Sequence, residues 1–338
     1  MKFDFDATGV GSLPFKDSAS SCRLIFDCFK TIPFWPQLPQ RSFLENMYVQ
    51  FSERLPGLVL DEASGTIHIE TSKVAHQIEG VYARYLDEDL EYFRVSEDRA
   101  EGFYRFLELS KNLGAKTKYV KGQITGPVSF ALFLTDQNKR SVIYDKDLFE
   151  VLTKILVMKA RWQVKRLKEI FPNVIIFIDE PYLVSIGSSY VNINVDEAMA
   201  RLDELVAAIK NSGALAGIHC CGNTDWSALL NRKIDILNFD AYNFMKEFAL
   251  YGADIKNFLK RGGTIAWGVV PSSDAIDKET ISSLAARFKE NMKLLAAKGI
   301  GMDEVQSVIT PSCGVATLDE ERARKILKTT KRLAEELR

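Results

Sequence analysis

Six short runs rich in Val, Ile, Leu and Phe, separated by amphipathic stretches, most narrowly limit how this chain can fold. They are Lys118–Ile124, Val174–Ile178, Leu215–His219, Ile234–Phe239, Thr264–Val270 and Gln306–Ile309. Most end at a polar or Gly/Pro-containing turn, as parallel strands buried on both faces do. Between them the period changes to that of helices. Asn194 with Glu197 three residues on predicts a capped helix start, Leu202, Leu205, Val206 and Ile209 line one face, and Gly213 ends it. Thr317 with Glu320 repeats the capping pattern before a last helix carrying Ile326, Leu327 and Leu333. The Ala7–Leu13 segment and one strand from Leu58–Glu70 bring the count to eight. The expected fold is a (β/α)8 barrel, one domain over residues 1–338, with a helical excursion at residues 84–110. A doubly wound open sheet would need a phosphate fingerprint, and no G-x-G-x-x-G or Walker sequence follows any of the runs.

Composition excludes several functions. With 44 basic and 45 acidic residues, the chain has no electrostatic footprint for nucleic acid or for an acidic membrane surface. No uncharged apolar stretch reaches the ~18 residues of a membrane span. The first residues, MKFDFDATGVGSLPF, lack the pattern of a secretory signal. Five scattered cysteines (Cys22, Cys28, Cys220, Cys221 and Cys313) are too sparse for a disulfide scaffold. A reducing cytoplasm, with thiols free for metal or catalysis, is the expected location.

Chemistry gathers at the C-terminal ends of the strand runs, where a barrel's loops converge. Gly11-Ser12, Gly122–Gly126, Asp179-Glu180, His219-Cys220-Cys221, Asp240 and Cys313-Gly314 all fall there. His219 and Cys221 are two apart, so an extended backbone points both to one side. Together with Cys313 they form a donor set suited to zinc. Three protein ligands leave one position open, as in a catalytic site. The competing reading is that the cysteines are small buried hydrophobes. Cys220 should face away, as packing or as support for the ligands. Asp179 and Glu180 are carboxylates on an apolar run, costly to bury unless used; they contact substrate or brace loops. Asp240 reads as a fourth ligand or as a partner of His219. Ser12 offers a hydroxyl and a backbone N–H to a carboxylate, or shapes its turn.

These pieces together resemble the C-terminal catalytic barrel of cobalamin-independent methionine synthase, within the wider group that includes uroporphyrinogen decarboxylase. The matching segments are Gly11-Ser12-Leu13-Pro14, Lys121-Gly122-Gln123-Ile124-Thr125-Gly126-Pro127, Ile178-Asp179-Glu180-Pro181, His219-Cys220-Cys221, Asp240 and Pro311-Ser312-Cys313-Gly314, in family order. The resemblance implies zinc held by His219, Cys221 and Cys313. It places the family's acidic fourth ligand, usually Glu, at Asp240. It further implies homocysteine as substrate, with Ser12 at its carboxylate, Asp179 at its ammonium and Glu180 beside them. A metal-coordinated thiol is a thiolate at neutral pH, the nucleophile that methyl transfer needs.

The chain departs from that family in three places. Its 338 residues leave no room for the second, N-terminal barrel of folate-using members. Phe133 stands near the position of a tryptophan that stacks on folate. No histidine follows the seventh strand, where Trp267-Gly268-Val269-Val270-Pro271 replaces a histidine assigned to acid catalysis. A methyl group leaves a folate nitrogen only if that nitrogen is protonated, whereas a low-valent corrinoid leaves without a proton. The expected donor is therefore a methyl-corrinoid, carried by a corrinoid protein, ahead of methyltetrahydrofolate. Methyl transfer to another thiol such as coenzyme M, a uroporphyrinogen decarboxylase-like reaction, and a zinc-stabilised module without turnover are the alternatives.

Overall fold

A computed structural model describes residues 3–111, 113, 116–186 and 191–338. Its strands are β1 (Asp4–Ala7), β2 (Leu58–Asp61), β3 (Thr66–Ile69), β4 (Val120–Thr125), β5 (Thr135–Asp136), β6 (Val174–Asp179), β7 (Leu215–Cys220), β8 (Ile236–Phe239), β9 (Thr264–Val270) and β10 (Gln306–Pro311). Seven form one curled parallel sheet in the order β1-β10-β9-β8-β7-β6-β4. Each of the six apolar runs is one of these strands, its ends displaced by at most two residues. Helices Lys146–Lys168, Val195–Asn211, Ile281–Ala296 and Glu320–Leu337 pack on the sheet, as βα crossovers require.

Both faces of the sheet are buried, and the strand period sorts them. Ile175, Phe177, Ile236, Ala266 and Val308 meet in a small apolar cluster with Phe3 and Ile32, separate from the main core. Alternate residues such as Ile176, Ile178, Ile218 and Leu237 join the larger core beneath the helices. On the enclosed face, two residues further along β6 and β8 stand Asp179 and Asn238, so the interior turns from apolar to polar toward the C-terminal ends.

Both strands assigned to the N-terminal part need correction. β1 is Asp4–Ala7, and most of Ala7–Leu13 is the loop after it. Its partner β10 runs on to Pro311, which has no N–H for the ladder. The Leu58–Glu70 region supplies no strand to the main sheet. β2 and β3 pair with each other in antiparallel fashion, with β5 alongside β3. The connection between them is too short for a crossover. Beside β4 and the end of β1 lies instead the segment around residues 31–37. Phe34 bridges to Lys121 and Gln37 to Ser12, with the Gln37 N–H donating to Gly11 O at 3.1 Å.

At the helix ends, Asn194 Oδ1 accepts the Glu197 N–H at 3.2 Å, and Gly213 takes the left-handed conformation (φ +75°) that ends the helix. The last helix is capped two residues later than expected. Asp319, not Thr317, accepts the Arg322 N–H at 2.8 Å. Ile326, Leu327 and Leu333 are buried as expected. The expected helical excursion at residues 84–110 is helical only in part. It holds the end of helix Val74–Leu86, turns with a short 3-10 segment at Glu97–Arg99, and helix Glu101–Ser110, which packs against Ser18–Cys28. Among the described residues, no helix is long and apolar enough to cross a membrane.

Candidate active site

A cavity of about 470 Å³ opens at the C-terminal ends of the strands, lined by Ser12, Asp179, His219, Cys221 and Cys313 together with Val10, Gln37, Glu45, Met47 and Thr317. One potential ligand atom each from His219, Cys221 and Cys313 lies within 4.8 Å of the others. The two-residue spacing at the end of β7 brings His219 and Cys221, just past the strand, to one side, and the turn after β10 brings Cys313 to them across nearly a hundred residues of chain. Cys220 faces the opposite way, fully buried, with its thiol pushed up to about 12 by burial.

The electrostatics of this trio fit a cation. The nearness of Cys313 and His219 holds the Cys221 thiol down at about 4 against the effect of burial. The nearness of Cys221, together with burial, pushes Cys313 well up. Burial works against a charged His219, but the neighbouring Cys221 sulfur outweighs it and the imidazole is raised. Two thiols and an imidazole converging here can give up a proton to a divalent metal and ligate it. His219 Nδ1 is 2.6 Å from Asn238 Oδ1, while Nε2 is buried with no hydrogen-bond partner. An unpartnered ring nitrogen beside two sulfurs is what a bound zinc would satisfy.

Asp179 is the register partner of His219 across β6 and β7. Its Oδ1 is buried without a partner, and burial pushes the carboxyl up to about 6 against the pull of His219 and Lys121. A cationic ligand group in the cavity would supply the missing bond.

Glu180, read with Asp179 as a substrate contact, is absent from the cavity lining and fully buried. Its carboxylate accepts the Val128 N–H at 3.0 Å, the Ser129 N–H at 2.7 Å and the Ser129 hydroxyl at 2.6 Å. It thereby satisfies the start of helix Pro127–Phe133 from outside, because adjacent strand residues face opposite ways. Asp240 lies outside the three-residue donor group. Its oxygens accept the Asn243 N–H at 2.9 Å and the Asn243 side chain at 2.7 Å. Phe133 stacks on Tyr48, ring centroids 3.9 Å apart, with Tyr182 nearby.

Sequence reasoning did not assign roles to Lys121, Asn238, Gln37 or Glu45. Lys121 is fully buried, donates to Val10 O at 2.6 Å and to Gln123 Oε1 at 3.1 Å, and is pushed down to about 7 by burial. Glu45 accepts from Arg41 and from the Leu38 N–H, and burial pushes it up to about 7. A polar residue at an inward position of an apolar run was the available signal for Lys121 and Asn238. Gln37 and Glu45 lie in loops, where no period marks the inward side.

No family model matches the chain, and neither does any curated protein. Among solved structures, a B12-independent methionine synthase from Shewanella sp. W3-18-1, in complex with selenomethionine, aligns with a TM-score of 0.59. The alignment covers 98% of this chain and 97% of that one at 16% identity. The two share a fold. A GH113 beta-1,4-mannanase aligns over 100% and 99% of the two chains at 14% identity, with a TM-score of 0.46 that carries no argument. At 16% identity to the synthase, the roles of individual residues rest on this chain's own geometry.

Proposed function

We propose that this protein is a zinc-dependent homocysteine S-methyltransferase that forms methionine, taking the methyl group from a corrinoid in preference to methyltetrahydrofolate. The observation that carries this reading is the convergence of His219, Cys221 and Cys313 within 4.8 Å at a cavity that Ser12 and Asp179 also line. The fold shared with a methionine synthase bound to selenomethionine supports the same product class. The sheet is read as a closed (β/α)8 barrel, with the segment around Phe34–Gln37 as its eighth stave in place of Leu58–Glu70. The five free cysteines suit a reducing cytoplasm.

His219, Cys221 and Cys313 would hold the zinc, leaving the fourth place for the substrate thiol, while Asp240 is engaged by Asn243. A zinc ion held there keeps a bound thiol deprotonated at neutral pH. Asp179, through its unpartnered oxygen, accepts from the substrate ammonium, and Ser12 donates to the carboxylate. The thiolate attacks the donor's methyl carbon. A carbon–sulfur bond forms, the cobalt–carbon bond breaks, and its electron pair stays on cobalt.

Among the described residues, the cavity lining contains no lysine or arginine. This favours a zwitterionic amino-acid thiol over the sulfonate of coenzyme M or the carboxylates of a tetrapyrrole, both of which call for cationic partners. The choice of donor rests on proton supply. His219 is the only histidine among the described lining residues, and the carboxylate of Glu45 is already engaged by Arg41 and Leu38. Asp179, the other carboxyl of the lining, is taken by the substrate ammonium in this reading, which leaves no histidine acid for a folate nitrogen. The partly exposed Phe133 and Tyr182 flank the buried Tyr48. Tyr48 and Tyr182 are next in sequence to Met47 and Pro181 of the lining, and the three rings give the rim an aromatic patch for a large macrocycle on a carrier protein.

The deciding assay offers methylcobalamin, a methyl-corrinoid protein and methyltetrahydrofolate in parallel to zinc-loaded protein with homocysteine. Methionine is expected from the corrinoid donors. Methionine from folate alone would sink the donor assignment, and none from any donor would sink the methyltransferase reading.

A further inference from the structure

We infer that Asn238 is a positioning residue that sets which nitrogen of His219 carries the proton. The purpose of this arrangement rests on the zinc reading above. Its geometry is independent of it. Asn238 on β8 is the register partner of His219 on β7, and its Oδ1 lies 2.6 Å from Nδ1 of the imidazole.

Which end of the amide faces the ring is decided at its other side. Nδ2 lies 2.8 Å from the Ala266 carbonyl and 2.8 Å from Thr310 Oγ1. A backbone carbonyl can only accept, so the atom facing Ala266 is the nitrogen and the atom facing His219 is the oxygen. That oxygen also only accepts, so Nδ1 carries the proton and Nε2 is left with its lone pair. Nε2 is the ring nitrogen that is buried without a partner, and with Nδ1 taken by Asn238 it is the one left to serve as ligand atom with Cys221 and Cys313.

The assignment matters because free histidine in water favours the opposite tautomer, with the proton on Nε2. An unrestrained His219 would present a proton to the metal position. Asn238 is fully buried and bonded to β9 and β10 as well as to β7, so it cannot rotate without orphaning a polar group. Thr310 stands three residues before Cys313, so one set of bonds ties together the two strands that bear the ligands. Nothing in the mechanism above uses Asn238 or Thr310 otherwise.

The test is made on metal-free protein labelled with 15N-histidine, reading the ring tautomer by NMR at alkaline pH, together with zinc affinity by chelator competition. The wild-type protein should show His219 protonated on Nδ1. Asn238→Ala should shift His219 toward Nε2–H and weaken zinc binding ~10- to 100-fold. Thr310→Val, which keeps the side-chain shape, should move both readouts less but in the same direction, and it carries the comparison if Asn238→Ala does not fold. A wild-type His219 protonated on Nε2 would overturn the inference. So would a folded Asn238→Ala or Thr310→Val protein with unchanged tautomer and unchanged affinity. The expected tautomer and zinc losses in a protein that makes no methionine would support the inference and count against methyl transfer alone.

Discussion

Gly314 lies so close to Ser12 that a β-carbon at position 314 would come within 2.1 Å of the Ser12 hydroxyl oxygen. Gly314→Ala should therefore displace that hydroxyl without touching the sulfur ligands. If Ser12 holds the substrate carboxylate, KM for homocysteine should rise about tenfold, the equivalent of ~1.4 kcal/mol for one lost polar contact, with zinc content unchanged. Combining it with Ser12→Ala should add little further, since both changes remove the same contact. Additive losses in steady-state kinetics would count against this role.

Glu180 and Asp179 are adjacent and should respond in opposite ways. Glu180→Ala orphans two buried N–H groups at the start of helix Pro127–Phe133 and should cost roughly 2–4 kcal/mol in urea unfolding. Asp179→Asn leaves the fold intact and should mainly raise KM for homocysteine, because it removes the carboxylate that faces the cavity. A large stability loss in the second variant, or none in the first, would reverse the two assignments.

Cys313→Ser should abolish both tight zinc binding and turnover, and Cys221→Ser likewise, because each removes one of three thiolate or imidazole donors. Asp240→Asn should retain most of the zinc, since its carboxylate is occupied by Asn243. Metal analysis after dialysis reads all three. Full zinc retention in Cys313→Ser would overturn the ligand set.

Lys159 gives a pH signature away from the site. It is fully buried, its hydrogen bonds among the described residues are to the Phe93 and Arg94 carbonyls at 3.4 Å, and burial lowers it from 10.5 to about 7, opposed by Glu53. Between about 7 and 10.5 the unfolded chain holds a proton that the folded chain lacks, so this residue makes stability rise with pH across that window. Below the window its penalty is fully present. Lys159→Met removes the penalty and keeps the packing, so it should stabilise the protein at neutral pH by roughly 1–3 kcal/mol. Its advantage in urea unfolding should shrink as the pH rises toward the upper end of the window. An advantage that is constant or grows with pH would contradict the buried cation.

The legible and illegible parts of the site divide along the strand period. His219 and Cys221 could be paired from their spacing because β7 is extended there, and Cys313 could be joined to them because βα loops converge. Glu180 was harder. A carboxylate next to Asp179 looks equally functional in one dimension, and only its opposite orientation onto Ser129 shows that it holds a helix. Asn238 carried a weak signal, a polar residue at an inward position, without any indication of its partner.

The sequence by itself determined the six central strands and their helices, since long apolar runs and 3.6-residue periods are local properties that survive any arrangement. It also determined which residue types could bind a metal. Tertiary structure alone decided where the N-terminal third goes. The Leu58–Glu70 strands pair with each other because so short a turn joins them, while the Phe34–Gln37 segment, too brief and irregular to read as a strand, lies beside β4. The tautomer of His219 is likewise a tertiary property. It depends on a carbonyl at Ala266, two strands away, whose only contribution is that it cannot donate.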